Sequence, residues 1–253
     1  MTLIQSIFLG LVQGFTEFLP VSSSGHLLLC RRLFALQSDL FFDVMLHLGT
    51  LFAVVIALRK SLFHAVAHPI ADVRFRYVAL ASIPTFIIAA AVKFFVPEGF
   101  TEMLLPLGFA ATIVLVGLSA KLSKPTQRLQ QTGVVPILVT GVVQGIAVVP
   151  GLSRSGSTVS TMQLFGTNAT DSAEFSFLLS VPVILAAVVV EGYEALSTAV
   201  TVNVWCVVAG VTAAFLSGSV AVYTVMRAVK RNNWIAFAVY LALPLVISLI
   251  VMF

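Results

Sequence analysis

The sequence predicts an all-α integral membrane protein with two inverted-topology repeats, each a re-entrant helix hairpin followed by three transmembrane helices. Three observations support this prediction. Of the 253 residues, 59% are hydrophobic and only 9% are charged, whereas soluble domains carry about 25% charged residues. Six apolar segments are long enough to cross a bilayer. Two further apolar segments are interrupted by polar residues, and these two segments resemble each other.

The predicted spans follow from the length of the apolar segments. A helix needs about 20 predominantly apolar residues to cross the hydrocarbon core of a bilayer. Six stretches come close to this length with few charged residues, and we predict one span in each. They run near Phe42–Leu58, Tyr77–Val92, Leu104–Ala120, Phe175–Val190, Val204–Met226 and Trp234–Phe253.

The two interrupted segments are predicted to form re-entrant hairpins. Ile4–Leu33 is broken at Pro20–His26, and Val134–Phe165 is broken at Pro150–Gly156. The apolar stretches beside each break have about 12 residues, which is too short for a span. Irregular backbone at membrane depth is tolerated only where protein or a cavity covers it, so a hairpin that returns to its own side fits each segment.

The hairpins match at a fixed separation of 131 positions, which relates Gln13 to Gln144 and Gly25 to Gly156. The three spans after each hairpin match in the same register. Because three crossings follow each hairpin, the second repeat enters from the opposite face, as in transporters whose sites lie near the bilayer midplane. We predict a single membrane domain over 1–253, with repeat one at 1–130 and repeat two at 131–253.

The basic residues, which give the chain a net charge of +4, predict an orientation from their loops and a partner from their charge. Lys and Arg cluster in short loops on one side, which we expect to be cytoplasmic, where they face anionic headgroups. We therefore expect the lipid bilayer as a partner and no nucleic acid. Both termini then lie outside the cytoplasm. Arg31 and Arg32 fall on the outer side, where they either hold a lipid or a substrate phosphate or are a local exception to the rule. The basic loops are Arg59–Arg76, Lys121–Gly133 and Arg227–Asn233.

The chain start and the two cysteines carry little functional signal. The N-terminal run lacks a basic segment and continues into Glu17, so we expect it to belong to the mature protein and not to a cleaved signal peptide. Cys30 and Cys206 lie far apart in apolar stretches without zinc-ligand spacing, and we expect small buried side chains there.

The first hairpin carries an acid, hydroxyl groups and an imidazole. Gln13 and Glu17 are four positions apart and share a helix face, and an ionisable group at membrane depth implies a partner or a function. Serines at a helix start often serve as caps, which suits Ser22 or Ser24. His26 lies one helical turn after Ser23, and a Ser–His pair is a nucleophile–base combination. Both interpretations stay open.

The second hairpin carries one charge, Arg154, in the segment Pro150–Thr158. A Gly/Ser turn that opens a helix presents unpaired N–H groups and a positive dipole end, and arginine matches phosphate oxygens bidentately. This pattern predicts an oxyanion site for phosphate. The alternative is an ion pair between Arg154 and Glu17 that bridges the repeats, and the two roles are compatible if the pair opens on binding.

Asp43 and Glu174 begin the first span of each repeat. They either line the same pocket or face water at helix N-termini, where the dipole favours an acid, and we favour the second interpretation. His47 lies one turn after Asp43, and we expect a structural role for it.

Two motifs resemble a known family. Gln13–His26 reads QGFTEFLPVSSSGH and Pro150–Thr158 reads PGLSRSGST. Together with Ser172–Pro182 they resemble the bacterial undecaprenyl-diphosphate phosphatase (bacitracin-resistance) family, in order and over nearly the whole chain. The resemblance implies hydrolysis of undecaprenyl diphosphate to undecaprenyl phosphate and inorganic phosphate in the bacterial inner membrane, with Mg²⁺ or Ca²⁺. It also implies recycling of the lipid carrier for cell-wall synthesis, and bacitracin resistance.

The resemblance also implies residue roles. Many members carry Glu where this chain has Gln13, so Glu17 is left as the only carboxylate of that pair. Either Ser23 or a water attacks with assistance from His26, or His26 is itself the nucleophile. The implied catalytic residues are Glu17, Ser23, His26 and Arg154; the implied phosphate contacts are Gln13, Ser22, Ser24, Ser153, Ser155 and Thr158; and the implied metal ligands are Glu17 and Gln13.

The rival hypothesis is a carrier for polyprenyl phosphate that works by alternating access, since it would use the same repeats and the same Arg154 site. Transport gives no reason for Ser, His and Glu confined to one hairpin, so we prefer hydrolysis. We expect the site to open to the outer, periplasmic side. The sequence leaves a homodimer open.

Overall fold

The computed structural model describes residues 1–36, 39–197, 203–230 and 234–252, and this part of the chain is helical apart from its connections. A short 3-10 turn, Leu129–Gln131, precedes α8. The helices are α1 (Leu3–Phe18), α2 (Ser23–Leu33), α3 (Leu40–Ala57), α4 (Arg59–Ala67), α5 (Val73–Phe95), α6 (Glu98–Met103), α7 (Leu105–Leu122), α8 (Val134–Ile146), α9 (Arg154–Leu164), α10 (Ala169–Ser197), α11 (Val204–Lys230), α12 (Ile235–Tyr240) and α13 (Ala242–Met252).

The six predicted spans are confirmed as helices long and apolar enough to cross a membrane. They are α3, α5, α7, α10, α11 and the continuous pair α12–α13. Two of them begin earlier than predicted because polar residues cap them: the Asp72 carboxylate accepts the N–H of Arg74, and the Asn168 side chain accepts the N–H of Asp171. Arg231 and Phe253, which the predictions included, lie outside the described residues.

Each interrupted segment forms two short helices joined by a break. Ser22 caps α2 by accepting the N–H of Gly25 at 3.3 Å, and Ser153 caps α9 by accepting the N–H of Gly156 at 3.1 Å. Both α2 and α9 have 11 residues. A helix of that length is about 16 Å long, roughly half the thickness of the hydrocarbon core, so these helices cannot span it alone.

The first helix of each hairpin packs closely against a span of the other half of the chain. A Cβ atom on Gly14 of α1 would lie 2.0 Å from the Ser217 hydroxyl of α11, and one on Gly141 of α8 would lie 2.2 Å from the Ala81 carbonyl of α5. In the same way, α3 contacts α11 while α10 contacts α5. Two repeats would give such an exchange of partners; the repeats and their opposite orientation in the membrane stay predictions.

A charged cluster joins the start of α5 to α10. The Asp72 carboxylate accepts from the Arg74 guanidinium at 2.7 Å and lies 2.7 Å from the Nδ1 atom of His64. The Arg74 guanidinium beside Asp72 holds the pKa of that carboxyl well below its usual range. Arg74 also reaches Glu174 at 3.3 Å, so Glu174 is committed to this cluster.

Candidate active site

The breaks of the two hairpins meet inside the bundle. The Ser155 hydroxyl of the second hairpin donates to the Leu19 carbonyl of the first at 2.9 Å. Beside it, a Cβ atom on Gly156 would lie 3.0 Å from the ring of Pro20. The two polar segments therefore cover each other, as irregular backbone at membrane depth requires.

Three predicted site residues converge on the carboxylate of Glu17. The Arg154 guanidinium donates to its Oε1 atom at 2.8 Å. The Ser23 hydroxyl and the Gln13 amide donate to its Oε2 atom at 2.6 and 3.1 Å. The Glu17 side chain is only 2% exposed. A buried carboxylate needs this degree of pairing, because an isolated charge in an apolar interior is costly.

Arg154 differs from its partner because it reaches the edge of the site. Its side chain is 23% exposed, and within the described residues its guanidinium bonds only to Glu17, through one nitrogen. The guanidinium has further N–H donors in a planar fork. Those donors can therefore bind an incoming anion.

The start of α9 is held by hydrogen bonds beside Arg154. Ser153 accepts the N–H of Gly156, and its own N–H donates to the Thr112 hydroxyl at 2.9 Å. Thr158 lies deeper, is buried, and contacts the Arg154 carbonyl and the Ser176 hydroxyl. Ser153 and Thr158 thus support the helix that presents Arg154.

The serines of the first hairpin take three different positions. Ser22 has a φ of +69°, a left-handed conformation that is uncommon outside glycine, and this sharp turn follows Pro20 directly. Ser23 then points back to Glu17, as described above. Ser24 is exposed, with its hydroxyl 3.4 Å from that of Ser22. Only Ser23 therefore reaches the buried carboxylate.

His26 bonds to different groups from those that the sequence predicts. Its Nδ1 atom lies 2.8 Å from the Ser22 carbonyl oxygen, and its Nε2 atom lies 2.9 Å from the Tyr240 hydroxyl. Within the described residues, the imidazole makes no hydrogen bond to Ser23 or to Glu17. The sequence prediction did not include Tyr240. One signal was present: Tyr240 lies 131 positions after Phe109, the separation that relates the two hairpins.

A cavity of about 550 Å³ lies beside the first hairpin. Asp43 lines it and forms an ion pair with Arg31, and His47 lines it with its Nδ1 atom 2.9 Å from the Asp43 carbonyl. Arg32 pairs with Glu102 at 2.6 Å. Asp43 thus faces this cavity, unlike Glu174. The lining residues are Ser24, Leu27, Leu28, Arg31, Arg32, Ala35, Leu36, Leu40, Asp43, His47, Glu102, Pro150 and Glu191.

The oxygen atoms near Glu17 suit a hard divalent cation. The Gln13 Oε1 atom is buried without a hydrogen-bond partner, and an amide oxygen is a ligand that Ca²⁺ and Mg²⁺ accept. No cluster of three or more His, Cys, Asp or Glu side chains occurs in the described ranges. Mg²⁺ is commonly held by one or two carboxylates together with phosphate oxygens, so Glu17 and Gln13 fit a cation shared with a bound phosphate.

Comparison with known proteins identifies the family. Residues 6–246 match the family described as Bacitracin resistance protein BacA. The chain belongs to this family. A protein named undecaprenyl-diphosphatase from Syntrophotalea carbinolica is 36% identical over 251 residues, which cover 95% of each chain. One of the same name from Carboxydothermus hydrogenoformans is 33% identical over 241 residues, covering 93% of this chain and 92% of that one.

The match extends to a third relative, the undecaprenyl-diphosphatase of Methanobrevibacter smithii, which is 33% identical over 261 residues. BacA membership and the six apolar helices together establish a multi-pass membrane protein. The breaks of both hairpins, with Glu17 and Arg154, lie within the matched region.

Proposed function

We propose that this protein hydrolyses undecaprenyl diphosphate to undecaprenyl phosphate and inorganic phosphate. One observation carries the proposal: the convergence of Arg154, Ser23 and Gln13 on the buried Glu17 carboxylate, where the two hairpins meet. Phosphoryl transfer requires a positively charged hydrogen-bond donor, a hydroxyl and a carboxylate in one protected site. Arg154, Ser23 and Glu17 supply these groups. The names of the BacA relatives agree with this chemistry.

Arg154 is the proposed phosphate ligand. The unused donors of its guanidinium and the N–H groups at the start of α9 bind the phosphate oxygens. Stabilising charge on the transferring phosphoryl group is the main catalytic contribution in this class of reaction. We propose that Arg154 turns towards the bound phosphate, so that its hydrogen bond to Glu17 breaks and the carboxylate is freed from the ion pair.

The released Glu17 carboxylate lies 2.6 Å from the Ser23 hydroxyl. It can therefore accept a proton from Ser23, or from a water that occupies the same position, as the new bond to phosphorus forms. The P–O bond between the terminal phosphorus and the bridging oxygen then breaks, the proton on Glu17 passes to the departing oxygen, and the lipid monophosphate leaves. If water is the nucleophile, inorganic phosphate is released in this step. If Ser23 is the nucleophile, a water then attacks the phosphoserine and loses its proton to Glu17, which releases inorganic phosphate and restores the Ser23 hydroxyl. The 2.6 Å between the Ser23 hydroxyl and Glu17 supports Glu17 as the proton acceptor for Ser23. His26 is then left to accept a proton from another group, or to attack phosphorus itself, through its Nε2 atom.

The proposed cation is Mg²⁺ or Ca²⁺, held by Glu17 and by the unpartnered Oε1 atom of Gln13. Such an ion, when bound, neutralises negative charge on the phosphate oxygens. Gln13 also donates to Glu17 through its Nε2 atom, and so orients the carboxylate from the other side.

We place the protein in the bacterial inner membrane, with the active site open to the periplasm. The long apolar helices allow the polyprenyl tail to stay in the bilayer and to emerge between helices. In that setting the reaction recycles the lipid carrier of cell-wall synthesis and confers resistance to bacitracin.

The test is release of phosphate from undecaprenyl diphosphate by the purified protein in detergent with Mg²⁺. We expect release by the wild type and loss of release in Arg154→Ala and His26→Ala variants whose thermal melting shows that they are folded. Folded variants that release phosphate at the wild-type rate would disprove the site. If a variant that does not hydrolyse the substrate still moves labelled polyprenyl phosphate across the liposome bilayer, the carrier hypothesis would be supported instead.

A further inference from the structure

We infer that Tyr240 is a positioning residue for His26: its hydroxyl and ring hold the imidazole in one orientation and one tautomer. The inference rests on the proposed function, in which His26 takes part in phosphate hydrolysis. It concerns a residue from the last span of the chain, 214 positions away from His26. Neither the motifs of the first hairpin nor those of the second contain it.

The hydrogen bonds determine the tautomer. A carbonyl oxygen can only accept, so the contact of 2.8 Å between His26 Nδ1 and the Ser22 carbonyl requires a proton on Nδ1. In the neutral ring the Nε2 atom then carries a lone pair. The Tyr240 hydroxyl, 2.9 Å away, donates to that lone pair. The imidazole is thus held in the tautomer whose Nε2 lone pair can accept a proton or attack phosphorus once the substrate displaces the Tyr240 hydroxyl from it.

The rings determine the orientation. The imidazole lies parallel to the Tyr240 ring, with centroids 5.8 Å apart and an interplanar angle of 7°. The ring of Phe109 meets the imidazole edge-on at 5.7 Å and 87°. His26, Tyr240 and Phe109 come from α2, α12 and α7. Contacts from two separate spans therefore restrict the side-chain rotation of His26, and this is how a catalytic group is pre-organised.

A comparison of Phe109 and Tyr240 separates packing from positioning. The two residues occupy matching positions, 131 apart, and both rings flank His26. Phe109 is fully buried and has no hydroxyl, whereas Tyr240 is 46% exposed. Packing alone would be satisfied by a phenylalanine at both positions. The Tyr240 hydroxyl contributes the bond to Nε2, and among the described residues it makes no other hydrogen bond.

The test compares Tyr240→Phe with Tyr77→Phe in the purified, full-length protein. Tyr77 is a matched control, because its hydroxyl also makes one hydrogen bond, to the Thr132 carbonyl at 2.6 Å, and this bond involves neither His26 nor Glu17. We expect kcat for phosphate release to fall about five- to tenfold in Tyr240→Phe, the range for one lost neutral hydrogen bond. KM should stay within twofold, and Tyr77→Phe should keep the wild-type kcat.

Nitrogen NMR of the labelled histidines gives a readout that a merely structural role would not move. The chain has four histidines, and the spectrum of His26→Ala assigns the His26 signals. In the wild type near neutral pH we expect His26 to show a protonated Nδ1 and an unprotonated Nε2. In Tyr240→Phe the Nε2 signal should shift, and in Tyr77→Phe it should not.

The outcomes separate this inference from the proposed function. A wild-type kcat in Tyr240→Phe, a fall in its kcat with an unchanged Nε2 signal, or a wild-type His26 with its proton on Nε2, would overturn the role of Tyr240. The last result does not depend on Tyr240→Phe, so it holds even if that variant fails to fold. In each case phosphate release by the wild type would leave the proposed function standing, whereas absence of release would refute that function.

Discussion

The two hairpins share a backbone design and differ in the chemistry they carry. In each, a serine caps the second helix, and its hydroxyl lies 3.4 Å from that of the serine two positions later: Ser22 with Ser24, and Ser153 with Ser155. Most of the other positions differ in residue type, and two of these differences bear directly on the site. Arg154 occupies the place of Ser23 in the 131-residue register, and Val148 occupies the place of Glu17.

This difference explains why neither hairpin is a site alone. The first hairpin supplies the acid Glu17 and the hydroxyl of Ser23. The second supplies the Arg154 guanidinium, which neutralises the acid. The equivalent glutamines show the same dependence. Gln13 donates to Glu17, whereas both polar side-chain atoms of Gln144 are buried without a partner in the described part of the chain. The shared serines thus cap the second helix of each hairpin, whereas the unshared Glu17, Ser23 and Arg154 give the two hairpins different chemistry.

The largest effect should come from removing the ion pair between Arg154 and Glu17, which joins the two hairpins. We expect Arg154→Ala to lower kcat/KM for phosphate release about 1,000-fold, comparable to loss of an arginine that stabilises a transferring phosphoryl group. It also leaves Glu17 as an uncompensated buried charge, so thermal stability should fall. The double variant Glu17→Gln/Arg154→Gln should regain stability and stay inactive. Recovery of activity in that double variant would contradict the proposed role of the pair.

A second test asks whether the hairpins are packed equally tightly. A Cβ atom on Gly14 would lie 2.0 Å from the Ser217 hydroxyl and 2.4 Å from a backbone oxygen, whereas one on Gly145 would lie 2.7 Å or more from its neighbours. We expect Gly14→Ala to lower the free energy of unfolding by about 2 kcal/mol and Gly145→Ala by about 1 kcal/mol. Melting in detergent measures both.

The control for this packing test is Gly117→Ala, since a Cβ atom there would meet nothing within 4 Å. Alanine is favoured over glycine inside a helix by about 1 kcal/mol, so this variant should be slightly more stable than the wild type. Equal melting temperatures for Gly14→Ala and Gly117→Ala would show that α1 does not pack closely on α11.

A third test gives the first hairpin a second carboxylate. Because ligand charge raises the affinity for a hard cation, we expect Gln13→Glu to lower the half-saturating Mg²⁺ concentration for phosphate release about tenfold. Gln144→Glu, the matched change in the second hairpin, should leave that concentration unchanged. A Mg²⁺ dependence unaffected by Gln13→Glu would place the cation away from Gln13.

The smallest expected effect concerns Gln144 itself. Gln144→Leu removes two buried polar atoms that lack partners, and we expect the free energy of unfolding to rise by about 1 kcal/mol. Phosphate release should stay within twofold of the wild type. A loss of stability in this variant would show that Gln144 has a bonding partner, such as a buried water, in the folded protein.

Much of the fold could be predicted from the sequence. The length of each apolar segment determines the spans, and the polar segments that begin at Pro20 and Pro150 mark the two breaks. The pairing of Glu17 with Arg154 was also accessible, because buried opposite charges must find each other. The partner of Ser23 was not accessible. It depends on the positive φ of Ser22, which no residue preference predicts.

The contact between His26 and Tyr240 was missed for a different reason. It joins residues 214 positions apart and depends on how the last span packs against the first hairpin. Helical periodicity carries no information about such a contact. The starts of α5 and α10 were placed too late because the apolar pattern begins after the capping residues Asp72 and Asn168.

The buried polarity of α9 has a consequence for how the protein is assembled. Ser155–Gln163 is an uninterrupted buried stretch, and most of its side chains carry hydroxyl or amide groups. Such a segment does not partition into hydrocarbon by itself, so we expect it to enter the bundle only after α7 and α10 have inserted. The proposed catalytic centre then forms only after these two spans are in place. Phosphate release therefore reports completed assembly, which insertion of the six spans alone does not.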